Sequence, residues 1–386
     1  VSPSRGAFSS PNNPAASASA AKSHPELAEK GDNVFVIGEQ PLVAETRPEA
    51  LDDDTTPASK FFIRNNGEVP VAAGDPERWK LSIGGEVNAA LALTLGDIKA
   101  KFAQVTQRMV LECGGNGRAF FSPQAEGVQW HHGGAGCAEW TGVRLRDVLL
   151  AAGLKETARF TGHFGADPAF PGHVTPPISR GIPIAKAMDE NTLLVFAMNG
   201  KPLLPVHGFP LRLIVPGWVG SVSHKWLTRI LIRKDRHDGT LMDPWHYRVP
   251  PVPMMHGDKF DPTTFVDLEA MPLRSIITSP ANGSHAVCNT PLRVRGAAWA
   301  GDQTVRLVEI SGDKGASWQR AELSPLKNPY DWTRFSATVS FAARGPHEIW
   351  SRATDSTDNV QPDIANGWNP HGYGANPIHK IKIVVQ

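Results

Sequence analysis

The chain has 386 residues, 41% of them apolar and 20% charged, an ordinary globular composition that is long enough for two or three domains with sizeable cores. Its 39 basic and 38 acidic residues leave a net charge of +1, which argues against a nucleic-acid partner. No run of 18 apolar residues predicts a membrane span, and 36 glycines with 33 prolines favour short strands and irregular loops over a helical bundle.

Residues 1–25 are rich in Ser, Ala, Pro and Asn and are predicted to be disordered. Residues 26–60 carry scattered apolar positions among Pro and Asp and read as a loose arm. FFIRNN (61–66) predicts a short strand ending in polar residues. WKLSIGGEV (79–87) reads as strand, Gly-Gly turn, strand. TLGDIKAKF (94–102) fits a helix, because Thr94 and Asp97 have capping-box spacing and Leu95, Ile98 and Phe102 share a face. Met109–Cys113 reads as a strand running into the glycine-rich loop GGNGR. LRDVLLAA (145–152) predicts a helix closed by Gly153. A helical turn at 184–188 and strands at 192–198, 211–215 and 226–233 complete a mixed α+β region. VPPVPMMHGDKFDPT (249–263) reads as a linker. Beyond it lie strand-like segments at 292–299, 304–311, 336–341 and 347–355, separated by turns, which predict an all-β sandwich of immunoglobulin type.

Three cysteines, Cys113, Cys137 and Cys288, do not make a disulfide framework. Cys113 stands at a strand end before glycines that let the backbone approach a bulky group. Its thiolate would suit a soft transition metal, with Arg118 helping to keep it deprotonated; a buried structural cysteine is the alternative. Arg64-Asn65-Asn66, and His207, Arg212 and Lys225 within LPVHGFPLRL and GSVSHKW, are phosphate-holding candidates or solvated loop charges. Adjacent His131 and His132 would point to opposite faces of a strand and make a poor chelate. No HExxH, CxxC, Walker loop or GxGxxG after a strand occurs.

FFIRNN, LECGGNGR (111–118), VQW (128–130), EWTGVRLRDVL (139–149), MNGKPLLPVHGFPLRLIVPGWVG (198–220), HKWL (224–227), EISGDKGASW (309–318) and WNPHGYGANPIHKIKI (368–383) together resemble the sulfite oxidase family of molybdenum enzymes, over roughly residues 58–386. The resemblance implies an N-terminal tail and arm (1–57), an α+β molybdopterin-binding catalytic domain (58–262) and an immunoglobulin-like dimerisation domain (263–386). It implies that Cys113 binds molybdenum beside the pterin dithiolene. Arg64, Arg118, Tyr247 and His371 would be catalytic, and Phe62, Arg64, Asn66, Asp167, His207, Arg212, Ser223 and Lys225 would hold the cofactor. Trp130 would wall the pocket or pack the core.

Asn66, His371 and Glu126 stand where many relatives have His, Arg and Lys, which thins the positive charge around an anion. The resemblance further implies oxidation of sulfite, with Arg64 and Arg118 on the anion and Tyr247 relaying a proton; the alternative is the molybdenum subunit of a sulfane dehydrogenase. Expected partners are a c-type cytochrome and a second copy of the chain. No haem is expected in this chain, because it has no CxxCH. Export to the periplasm by the twin-arginine route, with the signal removed, is also expected.

Overall fold

The computed structural model describes residues 24–71, 74–242 and 245–386. Most of the predicted disordered tail therefore lies outside the described residues.

The segment read as a loose arm is ordered. Strands β1 (Val34–Gly38) and β2 (Val43–Thr46) pair antiparallel, and β2 pairs with β3 (Ile63–Arg64), the short strand of FFIRNN. Leu27, Val34, Leu42 and Ala44 from the arm pack against Ile63 and Val206. These apolar positions are irregularly spaced, so they carry no period, yet together they bury one face against the main domain.

Strand β4 (Lys80–Gly85) ends at the Gly-Gly pair instead of turning directly into a partner; β5 (Leu91–Thr94) follows and pairs back on it. The helix Leu95–Lys101 starts with both hydrogen bonds of a Thr94–Asp97 capping box. The helix Leu145–Ala152 ends at Gly153 with φ +68°, as its sequence predicts. Strand β6 (Gln104–Glu112) pairs along its whole length with β7 (Ala135–Arg144).

Strand β7 was not legible as a strand. It is a central strand with Ala135, Gly136, Ala138 and Gly142 where large side chains would normally announce one. At Gly142 a Cβ would lie 2.1 Å from the Leu194 carbonyl oxygen, so close packing against the neighbouring strand dictates the residue.

β8 (Phe160–Gly165), β9 (Leu193–Met198), β10 (Lys201–Pro202), β11 (Arg212–Ile214) and β12 (Leu227–Arg233) complete two sheets. One runs β10-β9-β7-β6 with β11 on β9; the other runs β5-β4-β12-β8. The two helices pack between them around Leu81, Ile98, Val148, Leu149, Leu213 and Ile230.

From Arg274 on, the described chain is strands and loops. Arg274–Ser279, Leu292–Trp299, Thr333–Val339 and Glu322–Leu323 form one sheet; Ser284–Ala286, His379–Val385, Gly345–Asp355, Val305–Ser311 and Gln319–Arg320 form the other. Their inner faces meet over Val294, Val308, Ile310, Phe335, Ile349 and Ile381. The architecture is thus an α+β domain followed by an all-β sandwich.

A further apolar cluster joins the two, taking Val110, Cys137 and Tyr247 from the first and Ile276, Trp299, Trp332 and Tyr373 from the second. No helix among the described residues is long and apolar enough to cross a membrane.

Candidate active site and cofactor cleft

Strand β6 delivers Cys113 to the wall of a cleft. Loops after β3, β8, β10 and β11 supply its walls. Phe62, Arg64, Asn66, Asp167, His207, Arg212, Ser223, Lys225 and Tyr247 all line it, so ten of the twelve residues expected from sequence, Cys113 included, converge there.

The other two, Arg118 and His371, stand behind the wall. Arg118 folds back over its own loop and donates from Nε to the His371 carbonyl (2.6 Å) and from Nη1 to the Val128 carbonyl (2.8 Å). Gly115 permits this, since a Cβ there would lie 2.6–2.8 Å from the guanidinium. His371 stacks on His246 with centroids 5.0 Å apart and packs against Trp245 at 4.6 Å, so it belongs to an aromatic rim beside the cleft.

Burial pushes the Cys113 thiol up from its ordinary range, while the nearby charges of Arg64 and Arg118 pull it back down. A cation bound at sulfur would settle that balance in favour of the thiolate. The glutamate beside it, Glu112, is 1% exposed and fully engaged. It accepts from Arg274 Nε (2.7 Å), Asn116 Nδ2 (2.8 Å) and Trp299 Nε1 (2.7 Å).

The far end of the cleft is basic. Arg212 donates from Nη1 to the His207 carbonyl (2.8 Å) and from Nη2 to the Ser223 carbonyl (3.0 Å), tying two loops together. Lys225 Nζ donates to the Val206 carbonyl (2.9 Å) and to Asn65 Oδ1. Burial drives the Lys225 ammonium well below its usual range, and Arg212 adds to the effect. Among the described residues, Arg212 Nε, Ser221 Oγ, His224 Nε2 and Asp167 Oδ1 are buried without a hydrogen-bond partner, and all four residues line this cleft. Folded proteins leave few such groups; four around one cavity mark the contacts of a polar ligand with both donors and acceptors.

Tyr247 and Trp226 both line the cleft with left-handed backbones, φ +52° and +50°. Bulky residues occupy that region at a cost of about 1–3 kcal/mol each, typically where placement of a side chain matters. Tyr247 stacks on Tyr373 of the second domain (5.2 Å, 20°). Arg180, missed altogether, lies over the Tyr247 ring at 4.6 Å, and Arg118 lies over Tyr373 at 5.4 Å. Each tyrosine of the stacked pair thus has a guanidinium over its ring.

Of the remaining candidates, Trp130 is fully buried beneath Phe62 and does not line the cleft, so its role is core packing. His132 is wedged between Phe120 and His379 while His131 reaches outward to Glu45. Neither lies in a strand, contrary to the sequence reading, and both rings approach Phe120. Glu126 is exposed on a loop outside the cleft.

Two family profiles match the chain, an oxidoreductase molybdopterin binding domain over residues 66–241 and a Mo-co oxidoreductase dimerisation domain over residues 266–386. Sulfite oxidase of Gallus gallus is 33% identical over 358 residues, covering 89% of this chain and 76% of that protein. The chain belongs to the sulfite oxidase family. Mitochondrial sulfite oxidase of Drosophila melanogaster is 35% identical over 348 residues, and the match spans 86% of this chain and 59% of the fly protein. Among solved structures, the sulfane dehydrogenase SoxCD from Paracoccus pantotrophus superposes with a TM-score of 0.73 at 28% identity, covering 88% of this chain and 83% of that one.

The cofactor of a sulfite oxidase-family domain is molybdenum-molybdopterin, and the cleft fits it. Among the described residues no group of three His, Cys, Asp or Glu side chains gathers to hold an ion. The donor set here is one thiolate, which leaves the remaining positions to the pterin dithiolene. The unpartnered Asp167 oxygen suits a ring N–H, and the basic end around Arg212 and Lys225 suits a phosphate.

Asp167 supplies a pH test. Burial pushes its carboxyl from 3.8 up to about 6. The folded chain therefore binds more protons than the unfolded chain between these values, so this group's contribution falls as pH rises from about 4 to 6. In cofactor-free protein, D167N is expected to gain thermal stability relative to wild type across that window; parallel melting curves from pH 4 to 7 would refute it.

Proposed function

We propose that the chain oxidises sulfite to sulfate and passes the electrons to a separate c-type cytochrome. The observation that carries this reading is Arg64 lining the same cleft as Cys113, a cleft whose far end fits an organic phosphate. The reaction converts sulfite and water into sulfate, two protons and two electrons. Bound molybdenum supplies the two-electron redox chemistry.

The chain's own residues do the rest. Arg64, on the cleft wall, offsets the charge of the oxyanion, and Arg118, held behind the wall by its two bonds to carbonyls, adds positive charge from there. The Tyr247 hydroxyl holds or relays a proton at the cleft wall, with Arg180 and Tyr373 fixing its ring. Phe62, Trp226 and Tyr247 restrict water.

The dimerisation-domain match supports a homodimer. An exported, periplasmic enzyme is the compartment that suits a cytochrome acceptor. The decisive assay is steady-state turnover of sulfite with cytochrome c or ferricyanide, on protein shown by metal analysis to contain molybdenum. Absence of turnover would overturn the proposal.

A second reading, oxidation of protein-bound sulfane sulfur, is favoured by two observations. One is the likeness to SoxCD across most of the chain. The other is Asn66 in the cleft and His371 at its rim, neither of which carries a fixed charge. If missing charge limits sulfite binding, the double variant N66H/H371R should lower KM for sulfite about tenfold or more with kcat little changed. That is the scale of one charge-assisted hydrogen bond, roughly 1.5–3 kcal/mol. An unchanged KM would remove charge at these positions as the basis of substrate choice.

A further inference from the structure

One buried cation has no role in the scheme above. Lys30 lies in the N-terminal arm, is 0% exposed, and crosses 177 positions of sequence to reach the cleft. Its Nζ sits 2.8 Å from His207 Nε2, donates to the Phe61 carbonyl at 2.8 Å, and donates to the Ala58 carbonyl. An ammonium has three donors and no acceptor, so all three are spent on this corner of the cleft. His207 Nε2 must then accept, which leaves the ring proton on Nδ1.

Lys30 is not alone there. Arg212 binds the His207 carbonyl and Lys225 binds the Val206 carbonyl, so three cations converge on two consecutive residues. The arm is pinned to the same place, because Leu27 and Val34 pack on Val206 and on Ile63, the neighbour of Arg64. Among the described residues no carboxylate forms an ion pair with Lys30, Arg212 or Lys225. Three buried cations without that compensation are costly. In keeping with this, burial pulls the Lys30 ammonium down to about 7, and Lys30, Lys225 and Arg212 each push the His207 imidazole lower still, behind burial itself.

We propose that Lys30 is a positioning residue for the cofactor. It fixes the His207 ring and adds positive charge at the phosphate end of the cleft, so that the N-terminal arm latches the bound cofactor in place. The inference rests on the reading of the cleft as a molybdopterin site and goes beyond it by assigning the arm a part in retention. Sequence alone could not show this, since Lys30 stands in a stretch (ELAEKGDN) with no motif around it.

The test uses the full chain with K30Q, which removes the charge, and K30R, which keeps it. Molybdenum and pterin per chain are measured before and after prolonged dialysis, and melting temperatures are recorded for loaded and cofactor-stripped protein. Release is expected to be about tenfold or more faster in K30Q, the usual scale for a residue that orients a ligand. The rise in melting temperature on loading should shrink in K30Q and persist in K30R.

A residue with only a structural role would lower both melting temperatures equally and leave retention unchanged; that result overturns the inference. If K30Q does not fold, K30R decides alone, and loss of retention in a folded K30R would overturn it equally. Wild-type protein purified without pterin would sink the cofactor reading itself. Loaded protein inactive on sulfite would sink the substrate reading and leave Lys30 untouched.

Discussion

Replacing Cys113 with Ser is expected to abolish sulfite turnover in a chain that still folds. The fold does not depend on the sulfur. Cys113 is only half-buried, and its backbone bonds to Gly134 and from Asn116 (2.8 and 2.9 Å) survive the change. The proposed chemistry does depend on it. A thiolate is a soft donor that deprotonates at metal sites, whereas a serine hydroxyl is hard and stays protonated. Residues that merely orient a metal ligand cost about 10- to 100-fold when removed; loss of the ligand itself should exceed a hundredfold in kcat/KM. Molybdenum content and the circular dichroism spectrum should be recorded beside the activity. A C113S variant that keeps its turnover would end the assignment of Cys113 as the metal ligand.

The largest effect on stability is expected from Arg274→Met. Arg274 and Glu112 are 0% and 1% exposed and 2.7 Å apart, and Arg274 also donates to the Asn116 (3.0 Å) and Ala375 carbonyls. Removing one partner of such a pair strands the other charge in an apolar interior at a cost of about 3–5 kcal/mol. Here the stranded carboxylate would sit next to Cys113, where its charge already opposes thiolate formation. R274M should therefore unfold at lower denaturant concentration and also bind less molybdenum. Replacing Glu112 as well, in R274M/E112M, removes the unpaired charge and should recover much of the stability, but not the bonds that order the Cys113 loop. Denaturant titration of R274M, E112M and the double variant gives the coupling directly. An R274M protein within about 1 kcal/mol of wild type would contradict the geometry.

What could be read from the sequence was local. The Thr94–Asp97 capping box and the Leu145–Gly153 helix announce themselves within ten residues, and both formed as read. Cys113 with its glycines was ambiguous until collinear segments elsewhere in the chain pointed to one family. What could not be read was long-range. Strand β7 hides because its neighbours leave room only for Ala and Gly at several positions. Arg180 looks like an ordinary loop charge until Tyr247, 67 positions on, is seen lying against it. Lys30 and Tyr373 gained meaning in the same way, from partners supplied by distant segments. The order of the arm was missed for a related reason, since its few apolar residues pack one by one against sites set by other elements.

The family profiles divide this chain into two cassettes, yet the seam between them runs through the chemistry. The counter-ion of Glu112, the ring that faces Tyr247, and a carbonyl that anchors Arg118 all come from beyond residue 270. Recombination at the linker would therefore exchange more than an assembly surface. A sandwich transplanted from a relative would have to bring Arg274, the 369–375 loop and Tyr373 in register, or the recipient would inherit a correctly folded neighbour and a misaligned Cys113 loop. The junction that looks most permissive in the sequence is, for this reason, one of the least interchangeable parts of the protein.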